Sequence, residues 1–132
     1  MVFHEPHRSL MHSVPPAPTY DASTRWVTET YLRSGVDVMI GSKLCSIFAA
    51  AGLPPPVMRL HSIIGGAHAD DEIHLDADQA ETLVSDIERL GIATREQLGI
   101  ETLVERIKKE LAASQGVIIG RGEIGAWARL PS

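Results

Sequence analysis

The stretch FHEPHRSLMHS, Phe3 to Ser13, gathers His4, Glu5, His7 and His12 within a few positions. An imidazole takes up or releases a proton near neutral pH, and a neighbouring carboxylate can orient the ring or meet a substrate. His4, Glu5 and His7 are therefore the candidate catalytic residues, with either histidine as a general base. Metal ligation is the competing chemistry. It needs three or more convergent ligands, and the spacing matches neither HExxH, CxxC nor a closed zinc pattern, so no metal site is expected. A polar loop at a strand end, with no chemistry, is the plain alternative. The second polar cluster, HADDEIH from His68 to His74, lacks the spacing of a calcium loop and is expected to be an exposed acidic loop.

The elements around these residues follow from periodicity. MVFH is expected to be the end of a strand. SVPPAPTYDAS then interrupts regular structure, because its prolines remove donors and fix backbone angles. Residues 22–33 can form a helix that ends at Gly35. Ile40, Leu44, Ile47, Phe48 and Ala51 share one helical stripe, with Asp37 as N-cap, Gly52 just past the end and Leu53 closing it. Val57 to Ile64 reads as a strand ending at the pair Gly65–Gly66. A further helix is expected from about Ala77 to Leu90. TREQ, Thr94 to Gln97, has the spacing of a capping box. Thr102 to Ala113 is expected to be helical, with Leu103, Ile107 and Leu111 inward. Two apolar runs, Val117–Ile119 and Ile124–Leu130, flank a bend at Gly120 and Gly122. Strands interleaved with helices imply an α/β layer.

At 132 residues the chain fits one domain, read as residues 1–132, with an N-terminal arm and cover helix over 1–36 and an α/β core over 37–132. Residues 1–66 hold five Lys/Arg against four Asp/Glu; residues 67–132 hold seven against thirteen. No basic stripe runs along the chain, so neither nucleic acid nor an anionic membrane is an expected partner. The single cysteine, Cys45, is expected to be a buried inert thiol in a reducing, cytoplasmic setting. No signal peptide is expected, and no apolar run is long enough to span a bilayer.

Three stretches, GSKLCSIFAAAGLPPPVMRL, IIGG and the terminal IGAWARLPS, together resemble the C-terminal part of class I S-adenosylmethionine-dependent methyltransferases of the small-molecule branch. VFHEP resembles the end of that family's fifth sheet strand and the loop beyond it. SVPPAPTYDASTRWV resembles the inserted helical region over the substrate. Leu130 stands where the family more often has lysine. The resemblance implies a partial Rossmann-like methyltransferase sheet, with an antiparallel C-terminal strand beside the fifth, the run Val57–Ile64 as its neighbour, and inserted cover helices. It also implies a missing N-terminal half, which in the family carries the glycine-rich loop and the acidic ribose contact. Gly120, Gly122 and Gly125 are not followed by a helix and are no nucleotide fingerprint. No cofactor is therefore expected to bind this chain alone, although S-adenosylmethionine is implied for a complete member.

On that resemblance HEPHRSL is a loop at the carboxyl end of a strand, where functional loops of open α/β folds lie. Met11, Trp26, Tyr31 and Met39 are the candidate substrate-binding residues of an apolar pocket. Core packing is the alternative for Trp26 and Tyr31. Trp127 is expected to fill the space between sheet and helices, against Leu44, Ile47 and Phe48 or against Leu103 and Ile107. The expected activity is the substrate side of a methyltransferase for a small organic molecule, not competent for methyl transfer alone. A half-sheet with an open edge further predicts a homodimer or a complementary methyltransferase chain. Two alternatives stand beside it: a non-catalytic dimerising or small-ligand-binding module, and a cofactor-independent isomerase or cyclase using the remodelled pocket.

Overall fold

The computed structural model describes residues 1–131. The chain is mixed α/β, and its strands form two small antiparallel sheets. Strands β1 (Val2–His7), β3 (Val57–His61) and β6 (Gly122–Trp127) make one; β2 (His12–Val14), β4 (Ile64–Gly65) and β5 (Val117–Ile119) make the other. The orders are β1–β6–β3 and β2–β5–β4. Strand β6 runs antiparallel to both β1 and β3, so those two point the same way with a reversed strand between them. Each sheet continues into the other through a short break: at 8–11, at Ser62–Ile63 and at Gly120–Arg121.

Side chains and loop groups occupy the break. Gly120 N–H donates to the Ile63 carbonyl at 2.8 Å, and Ser62 Oγ donates to the Gly120 carbonyl at 3.0 Å. The bend at Gly120 and Gly122 therefore lies where the glycines predicted it. The strand that follows begins at Gly122, earlier than the expected Ile124, because Gly122 and Glu123 already pair with His7 and Pro6.

Helices α1 (Pro18–Arg33), α3 (Asp70–Arg89) and α5 (Leu103–Ser114) pack on one another and on Ile118 of β5. Pro18 suits the first turn of α1, where its missing N–H costs nothing. Leu103, Ile107 and Leu111 face the core, as their spacing requires. The short α4 (Arg95–Leu98) has its capping box: Thr94 Oγ1 accepts from Gln97 N–H at 3.1 Å, and Gln97 Oε1 accepts from Thr94 N–H at 2.8 Å.

Several expectations change. Segment 1–36 is woven into the core rather than laid over it, since β1 pairs with β6 and α1 packs on α3 and α5. HEPHRSL is not a loop: His4, Glu5 and His7 lie in β1. The acidic stretch 70–76 is the first two turns of α3, not a loop. Acidic side chains suit a helix N-terminus, and Ile73, Ala77 and Ala80 continue the apolar stripe of the helix backwards through them. The Asp37 stripe is split between a 3-10 turn, Ile40–Lys43, and a short α2 (Leu44–Ala50). Gly41 lets that turn lie close on the sheet: a Cβ there would lie 3.0 Å from Ile124 Cβ and 3.1 Å from the Glu5 carbonyl oxygen. Because α2 is short, only Leu44 and Phe48 of the stripe are buried, while Ile47 and Cys45 are exposed. The helix ends as expected: Gly52 takes a φ of 72°, and Leu53 N–H reaches back to the Phe48 carbonyl at 2.9 Å.

Trp127 does not fill the gap between sheet and helices. In β6 the residues Gly122, Ile124 and Ala126 are buried, and Ile124, Ala126 and Ala128 pack with Leu44 and Phe48. Alternation sends Trp127 to the opposite face. There it is half-buried, with the Arg59 guanidinium 5.7 Å from its ring centre. Trp26 is the tryptophan that packs against the helical core.

Candidate functional site

A cluster of buried polar side chains sits where the two sheets part. Arg8 comes from the β1–β2 connection, Tyr20 from α1, and Glu72 and Asp76 from consecutive turns of α3; each is less than a tenth exposed. Four buried groups of this type in one small domain require specific partners. Glu72 Oε1 accepts from Arg121 N–H at 3.3 Å, and its carboxyl packs so closely on Gly120 that a Cβ there would meet Oε1 at 2.1 Å. The Tyr20 hydroxyl donates to the Ile119 carbonyl at 2.9 Å. Both acceptor and donor needs of the strand break are thus met by α1 and α3.

Arg8, the cation of the cluster, is held by several elements at once. Its N–H donates to the Val38 carbonyl at 3.0 Å. Nε donates to Thr28 Oγ1 at 3.1 Å and Nη1 to Gln79 Oε1 at 2.8 Å, while the guanidinium lies 5.5 Å from the centre of the Tyr31 ring. Burial lowers its pKa from the ordinary value, and the nearby Asp76 opposes that. Asp76 is pushed up to about 7, first by burial and then by Glu72, against the pull of Arg8. Burial, with Asp76 and Glu72 close by, also raises the Tyr20 phenol. Asp76 Oδ2 is sealed and has no hydrogen-bond partner among the described residues.

Two clefts open on either side of this cluster. The first, about 420 Å³, runs between α1 and the β1–β2 connection and is lined by Arg8, Ser9, Met11, Thr24, Arg25 and Leu32, among others. The second, about 490 Å³, lies between β6, α3 and the β3–β4 connection, with His4, His61, Glu72, Arg121 and Glu123 on its walls. A larger hollow of about 700 Å³ beside α4 is lined by Glu81, Arg95, Glu96 and Glu101, and holds no buried polar side chain.

The structure separates the residues singled out from the sequence. His4 and His7 point to opposite faces of β1, with Glu5 on the same face as His7. His4 is exposed, 3.7 Å from Glu123, and lines the second cleft. His7 is buried beside the first cleft: Nε2 is 2.6 Å from Ser9 Oγ, and Nδ1 has no partner among the described residues. Glu5 is half-buried and lines neither cleft. Met11 lines the first cleft, and Tyr31 reaches it through Arg8. Trp26 faces a separate hollow of about 190 Å³ with Leu98, Leu103 and Arg106. Met39 lies outside these clefts, where its N–H donates to Asp37 Oδ1 at 2.9 Å.

Glu72 and Asp76 were missed. Their signal was present in the sequence: they are one helical turn apart and flank Ile73 and Ala77, the apolar residues that turn inward. Arg8, the anchor of the first cleft, had no signal beyond its place in the histidine-rich stretch.

No protein-family model matches the chain, and no curated protein matches it significantly. Among the described residues, no three His, Cys, Asp or Glu side chains converge as metal ligands, and no helix is long and apolar enough to cross a membrane. In the glycine-dense segment Gly120–Gly125, protein atoms crowd two of the three glycines: a Cβ on Gly120 would meet Glu72 Oε1 at 2.1 Å, and one on Gly122 would meet Leu60 Cδ1 at 2.8 Å.

Proposed function

We propose that this chain supplies the substrate side of a methyltransferase-like fold, with a small organic molecule bound in the cleft under α1. The observation that carries the reading is the strand arrangement beside that cleft. A reversed β6 lies between β1 and β3, which run in parallel, and the cleft opens beyond the carboxyl end of β1. That is the strand order implied by the resemblance in VFHEP, AGLPPP and GAWARL. Ligands of open α/β sheets bind beyond strand carboxyl ends.

Of the three catalytic candidates, His7 is the one beside this cleft, since its contact Ser9 stands in the wall. The pair would take a proton from a bound hydroxyl or amine. Any methyl donor would be held by residues outside this sequence, and no step of the transfer is assigned to this chain. A cytoplasmic setting is part of the same proposal.

Methyl and amide NMR of the 132-residue chain, titrated with a panel of small aromatic molecules, tests the reading. Shifts are expected at Met11, Thr24 and Thr28. Shifts confined to the surface away from α1, or saturable low-micromolar binding of S-adenosylmethionine by this chain alone, would sink it.

A second reading, a dimerising module, is favoured by the outer face of sheet β1–β6–β3. Val2 is 75% exposed and Val57 54%, both opposite Trp127. Strand β1 has no neighbour on its other side among the described residues. Light scattering at low micromolar concentration decides it: a homodimer has twice the 14.3 kDa mass of the chain, and a stable monomer removes the reading.

A further inference from the structure

We infer that the cleft under α1 receives an organic monocarboxylate, anchored on Arg8; the inference rests on the reading of that cleft as the substrate pocket. Two nitrogens of the Arg8 side chain are committed, Nε to Thr28 and Nη1 to Gln79. Nη2 has no hydrogen-bond partner among the described residues and is not one of the sealed unpartnered atoms, and Arg8 is part of the cleft wall. The guanidinium plane is fixed by those two bonds and by the Tyr31 ring. A fixed fork whose Nη2 still carries two unused N–H donors loses little freedom when it donates to a carboxylate.

Two cations and two carboxylates line the cleft, so the case for an anion is local to Arg8. Arg8 is 6% exposed, and the carboxyl that acts on it, Asp76, belongs to α3 and is not part of the cleft wall. With its pKa pushed up to about 7, Asp76 is only partly ionised at neutral pH and leaves the Arg8 charge incompletely matched. Arg25, also in the cleft wall, is exposed and has no ionic partner among the described residues. The two acidic residues of the wall are engaged elsewhere. Ser13 Oγ donates to the Asp21 carboxylate at 2.8 Å, and Glu29 pairs with Arg33 at 2.6 Å. Their charges still oppose a dianion more than a monoanion. Met11 and the exposed Leu32 supply apolar walls for an organic body, and about 420 Å³ suits a small one.

The test compares benzoate with benzamide, its neutral counterpart, and with inorganic phosphate, by NMR titration of the full chain at pH 7. Benzoate is expected to move the Met11 methyl and the Arg8 side-chain N–H signals and to bind roughly tenfold more tightly than benzamide. Arg8→Gln should abolish that preference. Arg25→Gln, at an exposed site, should weaken benzoate about two- to threefold, and only at low salt. Equal binding of benzoate and benzamide at Met11 would overturn the carboxylate while leaving the pocket. Tighter binding of phosphate than benzoate would overturn the ligand class. If neither aromatic probe moves Met11, the pocket reading falls as well. The benzoate–benzamide pair on the unaltered chain decides the matter even if Arg8→Gln fails to fold.

Discussion

Around α1, α3 and α5 the apolar side chains close on one another: Tyr20, Ile73, Ile87, Ile107, Leu111 and Ile118 are essentially inaccessible to solvent. Around sheet β1–β6–β3 they do not. One face is covered by α2 through Leu44, Phe48, Ile124, Ala126 and Ala128. The other shows Val2, Val57 and the half-buried Trp127 to solvent. Three helices bury a core from several sides, whereas one seven-residue helix covers a single sheet face. The first region can hold a buried charge such as Arg8, because rigid neighbours supply its partners, and it holds the Asp76 carboxyl by favouring its protonated form. The second is a surface waiting for a neighbour, and its stability should depend on whether one is present.

The largest expected effect lies in the closed region. Ile107 is fully buried between helices. Ile107→Ala removes three methyl or methylene groups' worth of contact and leaves a cavity, costing about 2–5 kcal/mol. That is a large share of the stability of a domain this size. Urea denaturation followed by far-UV circular dichroism measures it. A loss below about 1 kcal/mol would mean that the helical region is not the dominant core.

The next effect depends on pH. The carboxyl of Asp76 is raised from 3.8 to about 7 in the fold, facing Glu72, Arg8, Tyr20 and Arg121. The folded chain therefore keeps a proton that the unfolded chain releases. The stability linked to this group is fully present below about pH 4, falls as pH rises from about 4 to 7, and is flat above that. A shift of about three units corresponds to a loss of up to about 4 kcal/mol across the window. Asp37 and Asp70 are held below 3.8 by Lys43 and Lys108, so their contribution is lost only at more acid pH and does not overlap. Asp76→Asn should flatten the slope and be more stable than the parent at pH 8. Equal slopes in the two proteins would show that Asp76 titrates normally.

What was legible in the sequence follows the same division. The helices with sustained apolar spacing, such as the one bearing Leu103, Ile107 and Leu111, were readable because one face must turn inward wherever the helix docks. So were the Gly52–Leu53 stop and the Thr94 capping box, which depend only on neighbours in the chain. The N-terminal turns of α3 were not, because an acidic run reads as solvated until another element brings Arg8 and Tyr20 against it. Nor was the direction of Trp127. A strand of small residues, Gly125, Ala126 and Ala128, states no preferred face, and one step of alternation decides whether the indole meets α2 or solvent. In the candidate site, Met11, singled out for its adaptable side chain, lies in the wall of the cleft under α1. Arg8 was not legible, since its role comes from Thr28, Gln79 and Tyr31, all distant in sequence.

The two tryptophans give the smaller and sharper tests. Trp26 is half-buried and packs against the helical core, with Leu98 and Leu103 beside it. Trp26→Ala should cost about 2–3 kcal/mol, less than a fully buried indole because part of the ring already meets solvent. Urea denaturation again reads it. An unchanged midpoint would place Trp26 outside the core.

Trp127→Ala should have the smallest effect on the monomer, below about 1 kcal/mol. Its ring lies on the uncovered face, where the Arg59 guanidinium is its cation–π partner, and a solvent-facing pairing of that kind contributes about 0.5–1 kcal/mol. Its ring is half-buried but joins neither core cluster, so its removal opens a surface hollow rather than an enclosed cavity. The substitution also keeps the small-residue character of the strand, and β6 retains its pairings with both β1 and β3. A different result is expected wherever that face is covered. If two copies join across Val2, Val57 and Trp127, removing the indole deletes the largest apolar group of the contact, and such central aromatic groups carry a large part of an interface's energy. The mass measured by light scattering should then fall toward 14.3 kDa while the urea midpoint, measured at a concentration where the parent is already monomeric, barely moves. A loss of more than about 2 kcal/mol in the monomer would show that Trp127 is buried in the fold after all, and that the open face belongs to neither region as described.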